Sequence, residues 1–298
     1  MVKKLLRQNL LNLTLLIAII AVSIWYWVQY SNEKTVPSLA KGVTVTELTI
    51  SYSENKLQFL KKEDWLLTHP FSARADQAKL RELANYLEST IIDTIGSVAN
   101  LNLSTYALNQ PTVTLILNNH SIAFGNQNPV TQQRYVRYQD LVYLIENYRF
   151  SLISKNPYDL LDKNLIPTQQ TIMSIEVQST KNFSSNFTIT KEKLGADYVI
   201  TGREDKQLTA KDINSWIDAV SFISADSVAP RQITKQTPIK PSVTITITLA
   251  NGTTQKYDSF VNDQLIREDI AAGVVYFLNP TDYQRLLTPP SHAGTTGS

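Results

Sequence analysis

The side chains best suited to chemistry are few and badly spaced for it. The three histidines, His69, His120 and His292, have no second histidine or carboxylate three or four residues away. A zinc site built on one helical face requires that spacing. With no cysteine in the chain, thiolate catalysis, disulfides and cysteine-ligated metal are excluded. Neither a G-x-S-x-G elbow nor a phosphate-cradling glycine motif occurs, and only 9 of 298 residues are glycine. Asp64, Asp76 and Asp226 are candidate acids for glycosidic chemistry, which needs two carboxylates roughly 5–9 Å apart. The sequence contexts of Asp64 and Asp76 are better read as a charged turn before Trp65 and a helix start. The cluster that stands out is the loop Gly125–Pro129, with Asn128, followed by Tyr135, Arg137 and Tyr138. An arginine flanked by aromatics could grip a carboxylate, a sugar or a partner's backbone. The same residues also fit a strand whose side chains alternate between core and solvent. Trp65 and Trp216 read as core anchors. No catalytic residue, cofactor or metal is expected.

The elements that must hold these residues follow from periodicity. Short alternating runs at 43–50, 57–60 and 65–67 predict three strands, and Pro70 stops the third. Ala75–Ser89 changes period and predicts a helix with Ala75, Leu80, Leu83, Ala84 and Leu87 on one face, started by Asp76. Pro111 introduces the strand VTLIL, turned at Asn118–Asn119 into a partner at Ser121–Phe124. Tyr135–Tyr138 and Leu141–Ile145 predict a hairpin around Gln139–Asp140, and Asn147–Leu161 a helix or irregular connector. The second half shows a similar order: strands at 172–177, 186–190 and 197–201, a helix over Thr209–Phe222 burying Ile213, Trp216, Ile217 and Val220, a strand after Pro241 with a turn at Asn251–Gly252, and a last strand at Val274–Leu278. Pro111 and Pro241 are 130 residues apart, while Leu80 and Ile213, and Tyr143 and Tyr276, are each 133 apart. This predicts an α+β fold of two tandem repeated units, 43–160 and 161–290, each an antiparallel-rich sheet with one packed helix.

A membrane anchor precedes these units. Leu10–Val28 is 19 residues without a charged side chain, close to the ~20 that cross a hydrocarbon core. Asn12 and Thr14 lie near its start, and Trp25, Tyr26 and Trp27 form an interfacial belt at its end. A signal peptide has a shorter apolar core with small residues after it, and a lipoprotein needs a cysteine. Lys3, Lys4 and Arg7 precede the span, so the expected organisation is a cytoplasmic stretch 1–9, a transmembrane helix 10–30 and a polar linker 31–42. The body then lies across the membrane, and a disordered tail occupies 291–298. The formal charge of +2, from 28 basic and 26 acidic residues, gives no reason to expect nucleic acid as a partner.

Several strings resemble one known family. Trp65-Leu66-Leu67, Pro70 and Ala75-Asp76 before a helix, Tyr106-Ala107-Leu108-Asn109-Gln110-Pro111 before a strand, Phe124-Gly125-Asn126-Gln127-Asn128-Pro129, and Tyr135-Val136-Arg137 look like the bacterial family labelled domain of unknown function 4340. The match is good over 43–150 and weaker beyond. The family's glycine in its Y-G-L-x-x-P turn is Ala107 here, which argues against a left-handed backbone at that position. The resemblance implies an inner-membrane protein facing the periplasm, whose motif residues are turn prolines, a packing tryptophan and a helix cap. Some members are encoded or fused with auxiliary proteins of gliding-type ABC transport systems. It implies no activity. The expected role is therefore a non-enzymatic accessory or scaffold subunit in contact with membrane lipid and other inner-membrane subunits, plausible for an ABC-type transporter. The alternative is a ligand-binding module that takes cell-wall glycan or a small solute in the groove between the units.

Overall fold

The computed structural model describes residues 17–26, 37–180, 186–202, 208–231, 240–260, 263–267 and 273–288. Helix α1 covers 17–26. The first half then contains β1 (Glu47–Tyr52), β2 (Lys56–Lys61), β3 (Trp65–His69), β4 (Ala73–Arg74), α2 (Gln77–Ala84), β5 (Ile91–Ser97), β6 (Val113–Leu117), β7 (His120–Gln127), β8 (Arg134–Tyr138) and β9 (Leu141–Ile145). In the second half are β10 (Ile172–Ser179), β11 (Phe187–Lys191), β12 (Tyr198–Thr201), α3 (Ala210–Ser221), β13 (Ser227–Pro230), β14 (Val243–Leu249), β15 (Thr254–Ser259), β16 (Gln264–Arg267), β17 (Val274–Phe277) and α4 (Pro280–Leu287).

The strands form two antiparallel sheets, ordered β4-β3-β2-β1-β6-β7-β8-β9-β5 and β12-β11-β10-β14-β15-β16-β17-β13. In the first, the meander β1-β2-β3 and the two-residue β4 lead into α2; in the second, the meander β10-β11-β12 leads into α3. The strand after the helix goes to the far edge, and a four-strand series fills the space between. Leu80 and Ile213 sit in α2 and α3, Pro111 and Pro241 precede β6 and β14, and Tyr143 and Tyr276 lie in β9 and β17.

Local chemistry fixes the helices. The Asp76 carboxylate accepts from Ala78 N and Lys79 N, both at 3.1 Å, and so caps two of the orphan donors of α2. α2 is shorter than the sequence suggests. A 3-10 turn, Asn85–Glu88, continues it and buries Tyr86 and Leu87 beside Leu80 and Leu83. Thr209 and Asp212 form a reciprocal capping box on α3, which buries Ile213, Trp216, Ile217 and Val220 as the periodicity requires. Each such side chain contributes about 1.5–3 kcal/mol on burial.

The apolar faces of both sheets merge into one continuous core. A smaller cluster of Leu108, Ala123 and Val142 covers the opposite face of the first sheet, with Leu101, Leu103 and Tyr106 packed on it.

Between the halves, Leu160, the last residue of a 3-10 turn, leads into an extended strap, Leu161–Leu165. Asp76 N donates to Leu160 O and Asp162 N to Arg74 O on one side. On the other, Ala225 N donates to Lys163 O and Leu165 N to Ile223 O. The strap thus joins the β4 edge of the first sheet to the segment leading into β13 of the second.

Several expectations need correction. β5 escapes the alternation rule because it is an edge strand with two register shifts against β9. β13 and β16 are four residues each, too short to show a period. α4 was also missed, although Asn279 caps it and Pro280 occupies its first turn. Asn147–Leu161 holds two 3-10 turns, Tyr148–Leu152 and Pro157–Leu160. The linker 31–42 is docked from residue 37 on: Ile91 N donates to Pro37 O and Ala40 N to Leu87 O. Ala107 is left-handed, at φ 54 and ψ 33, despite its methyl group.

Among the described residues no helix is long and apolar enough to cross a membrane. Leu10, Asn12, Thr14 and Trp27 lie outside the described residues, as do 1–9 and the tail 291–298.

Candidate functional site

The structure does not gather Asn128, Tyr135, Arg137 and Tyr138 on one surface. Period-2 alternation along β8 sends Val136 and Tyr138 into the main core, where Tyr138 is 3% exposed. Its hydroxyl lies 2.7 Å from His120 Nδ1, with the two rings stacked. Tyr135 occupies the other face against Tyr106, ring centroids 4.8 Å apart, and its hydroxyl accepts from Asn128 Nδ2 at 2.9 Å. Asn128 Oδ1 accepts from Val130 N and Thr131 N, so this side chain builds the loop. Arg137 shares the face of Tyr135.

The arginine that meets aromatics is Arg134. Its Nε donates to Asn147 Oδ1 and its Nη1 to Gly125 O, both at 2.6 Å, and its guanidinium lies 3.5 Å from the centre of the Phe150 ring. Burial lowers its pKa, and the nearby Tyr86 phenol opposes that shift. Phe150 packs on Phe124, and Phe124 packs edge-on against Tyr86. The signal for Arg134 was present in the sequence, since it alternates in phase with Val136 and Tyr138.

The most built concavity lies at the junction of the halves, a cleft of ≈ 560 Å³. One wall comes from the β2–β3 turn (Lys61, Glu63, Asp64, Trp65) and the start of α2 (Asp76, Gln77, Arg81). The strap (Asp162, Lys163, Asn164) and Ser224 supply the other. Its inner groups are fixed. Gln77 Oε1 accepts from Trp65 N at 2.7 Å while its Nε2 donates to Trp65 O at 3.0 Å. Arg74 Nε donates to Asp162 Oδ2 at 2.7 Å, and a second guanidinium nitrogen donates to Asn164 O. Lys163 Nζ donates to Asp226 O at 2.6 Å. Of the carboxylates singled out in the sequence, Asp64 and Asp76 therefore share this cleft, Asp76 as a helix cap. Among the described residues no group of three or more His, Cys, Asp or Glu side chains is placed to hold a metal ion. Trp65, the cleft's aromatic, is 3% exposed and offers no open platform for a sugar ring.

A second pocket, of ≈ 510 Å³, lies at the β1–β2 turn, where Tyr52, Lys56, His69 and Lys155 converge. Burial pushes the Tyr52 phenol up to about 12, and Lys155 Nζ lies 5.5 Å from the centre of its ring.

The sequence motifs turn out to be joints. Gln77 ties the tryptophan motif to the Ala75-Asp76 helix start. Gly125 backs onto the Tyr106-Ala107-Leu108 turn so closely that a Cβ would sit 2.1 Å from Tyr106 O. Neither a curated protein nor a solved structure matches the chain. A family model does, described as Domain of unknown function (DUF4340), over residues 65–243, which takes in the tryptophan strand, the strap and the first strands of the second sheet. The chain is thus a member of the DUF4340 family.

Proposed function

We propose that the chain is a membrane-tethered accessory subunit, held in the bilayer by Leu10–Val28 and acting as a scaffold beside other membrane proteins without chemistry of its own. The observation that carries this reading is α1. Every residue of 17–26 is exposed, including Ile17, Ile20 and Trp25 at 58%, 50% and 63%. A helix that is apolar all round belongs in a protein core or in lipid, and this one is not buried in the core of the described body. The docked residues 37–40 add to the case. Ten residues separate Tyr26 from Pro37, a reach of at most roughly 40 Å, so the body stays close to the membrane surface.

The test exploits the absence of cysteine. Single-cysteine variants Lys4→Cys and Lys41→Cys in intact cells should differ in labelling by an impermeant maleimide, with only the second reacting. The protein should resist carbonate extraction, and Ile19→Arg with Val22→Arg should release it. Recovery of the unmodified chain in the soluble fraction would refute the tether. Repeated purification from mild detergent as a lone monomer would refute the accessory role.

We also infer that the halves arose by tandem repetition of one unit of about 130 residues. The shared strand order and the matching positions of Leu80 and Ile213 support it. Structures of other family members would test it: a different strand order in one half would count against a common origin.

A further inference from the structure

We propose that the junction cleft binds a small zwitterionic solute, about the size of a tripeptide, with a free ammonium at one end and a free carboxylate at the other. This goes beyond the tethered-scaffold reading and does not depend on it.

The argument starts from which charges are used. Asp162 is committed to Arg74 and to Asn164 N, and Asp76 to the first turn of α2. Gln77 is committed to the backbone of β3. These bonds make the inner wall rigid and leave it little further capacity. Four charged side chains of the lining stand apart: Lys61, Glu63, Asp64 and Arg81. Each is exposed, and no ion pair or hydrogen bond to another described side chain engages any of them. Two are cations and two are anions, so the unengaged lining is close to neutral overall while carrying both signs.

That pattern selects against simple ions. A phosphate or a polyanion would meet Glu63 and Asp64, and a polycation would meet Lys61 and Arg81. A molecule bearing both charges satisfies both sets, and the planar Arg81 guanidinium is suited to a carboxylate. The volume of ≈ 560 Å³ lies within the usual range for a small-molecule site, and junctions between structural units are a favoured place for one.

The experiment is calorimetric titration of the full chain in detergent micelles with trialanine, N-acetyl-trialanine and trialanine amide. Saturable binding of trialanine is expected, with each capped form weaker by about tenfold or more, the size expected for one lost charge-assisted hydrogen bond. Arg81→Gln should weaken trialanine and leave the amide unaffected. Glu63→Gln with Asp64→Asn should weaken trialanine and leave the acetylated form unaffected. Because the capped ligands are read on the unmodified chain, the result does not hang on the variants folding. Absence of saturable trialanine binding, or equal binding of all three ligands, would overturn the proposal.

Discussion

Arg74 and Asp162 face each other across the seam between the two halves, Nε to Oδ2 at 2.7 Å, with side chains only 11% and 10% exposed. The same guanidinium reaches Asn164 O, and Asp162 Oδ1 accepts from Asn164 N at 2.9 Å. One ion pair therefore fixes the strap to the β4 edge, and the strap in turn is bonded to the second half. A pair this buried specifies geometry more than it adds stability, because desolvation offsets much of the attraction.

Removing one partner is a different matter. Arg74→Met leaves Asp162 buried without a counter-ion, and it should lower the unfolding free energy by about 3–5 kcal/mol. Arg74→Met with Asp162→Leu should recover most of that loss. Denaturant titration of the two variants checks the ordering. Equal stability of the single and double variants would show that the pair is not energetically coupled.

The body of the fold was legible where one rule acted alone. α3 reads directly from its apolar spacing, and β6 and β14 from strict alternation behind a proline. Legibility failed where a residue's role depends on partners far along the chain. β5 pairs with β9 across two register shifts, so its period is broken by the very contacts that define it. The joining of Asp64, Asp76 and Asp162 in one cleft depends on a strap to which the local sequence pattern assigns no element beyond Leu161. Arg137 drew attention through its aromatic neighbours, yet Arg134 meets the ring because phase along a strand decides side.

Tyr86 offers a test of burial without satisfaction. Its hydroxyl is buried and has no hydrogen-bond partner among the described residues, whereas the buried Tyr257 hydroxyl donates to Leu165 O at 2.8 Å. An unsatisfied buried hydroxyl costs about 1–3 kcal/mol. Tyr86→Phe should thus raise the unfolding free energy by about 1 kcal/mol, and Tyr257→Phe should lower it by about 1–2 kcal/mol. Thermal melts of the two variants should move in opposite directions. A loss of stability in Tyr86→Phe would mean that its hydroxyl is in fact satisfied, for example by a bound water.

The tyrosines also set an alkaline limit. Burial raises the Tyr52 phenol from 10.0 to about 12, and it pushes Tyr86 and Tyr276 up as well. A phenol raised on folding holds its proton more tightly in the folded state. Its contribution is intact below pH 10.0, the unfolded value, and is lost as the pH climbs through about 12. Phenolate absorbance should show a class of tyrosines that titrates only at that upper end, together with unfolding. Tyr52→Phe should remove one member of the class. A single titration near pH 10.0 for all tyrosines would contradict the burial assigned to them.

Ala107 and Gly125 make a matched pair, because each sits where its neighbour dictates backbone shape. Ala107 is left-handed at φ 54, a conformation that costs an L-residue about 1–2 kcal/mol. Leu108 N donates to Leu103 O at 2.9 Å, and Leu108 is fully buried, so the turn is held by packing and hydrogen bonding against that strain. Ala107→Gly should relieve it and stabilise the protein by about 0.5–1 kcal/mol, after the extra freedom glycine gives the unfolded chain is deducted. Gly125 has the opposite constraint. A methyl group there would meet Tyr106 O at 2.1 Å and Leu108 Cγ at 2.9 Å, and a backbone carbonyl cannot swing aside as a side chain can. Gly125→Ala should therefore push the 103–108 turn off the first sheet. Leu108, Ala123 and Val142 would be opened to water, and the cost should exceed the gain from Ala107→Gly severalfold. Amide hydrogen exchange at Leu108 and Ala123 reads the displacement directly. Protection there unchanged in Gly125→Ala would mean that the turn and the β7 strand are not in the contact described.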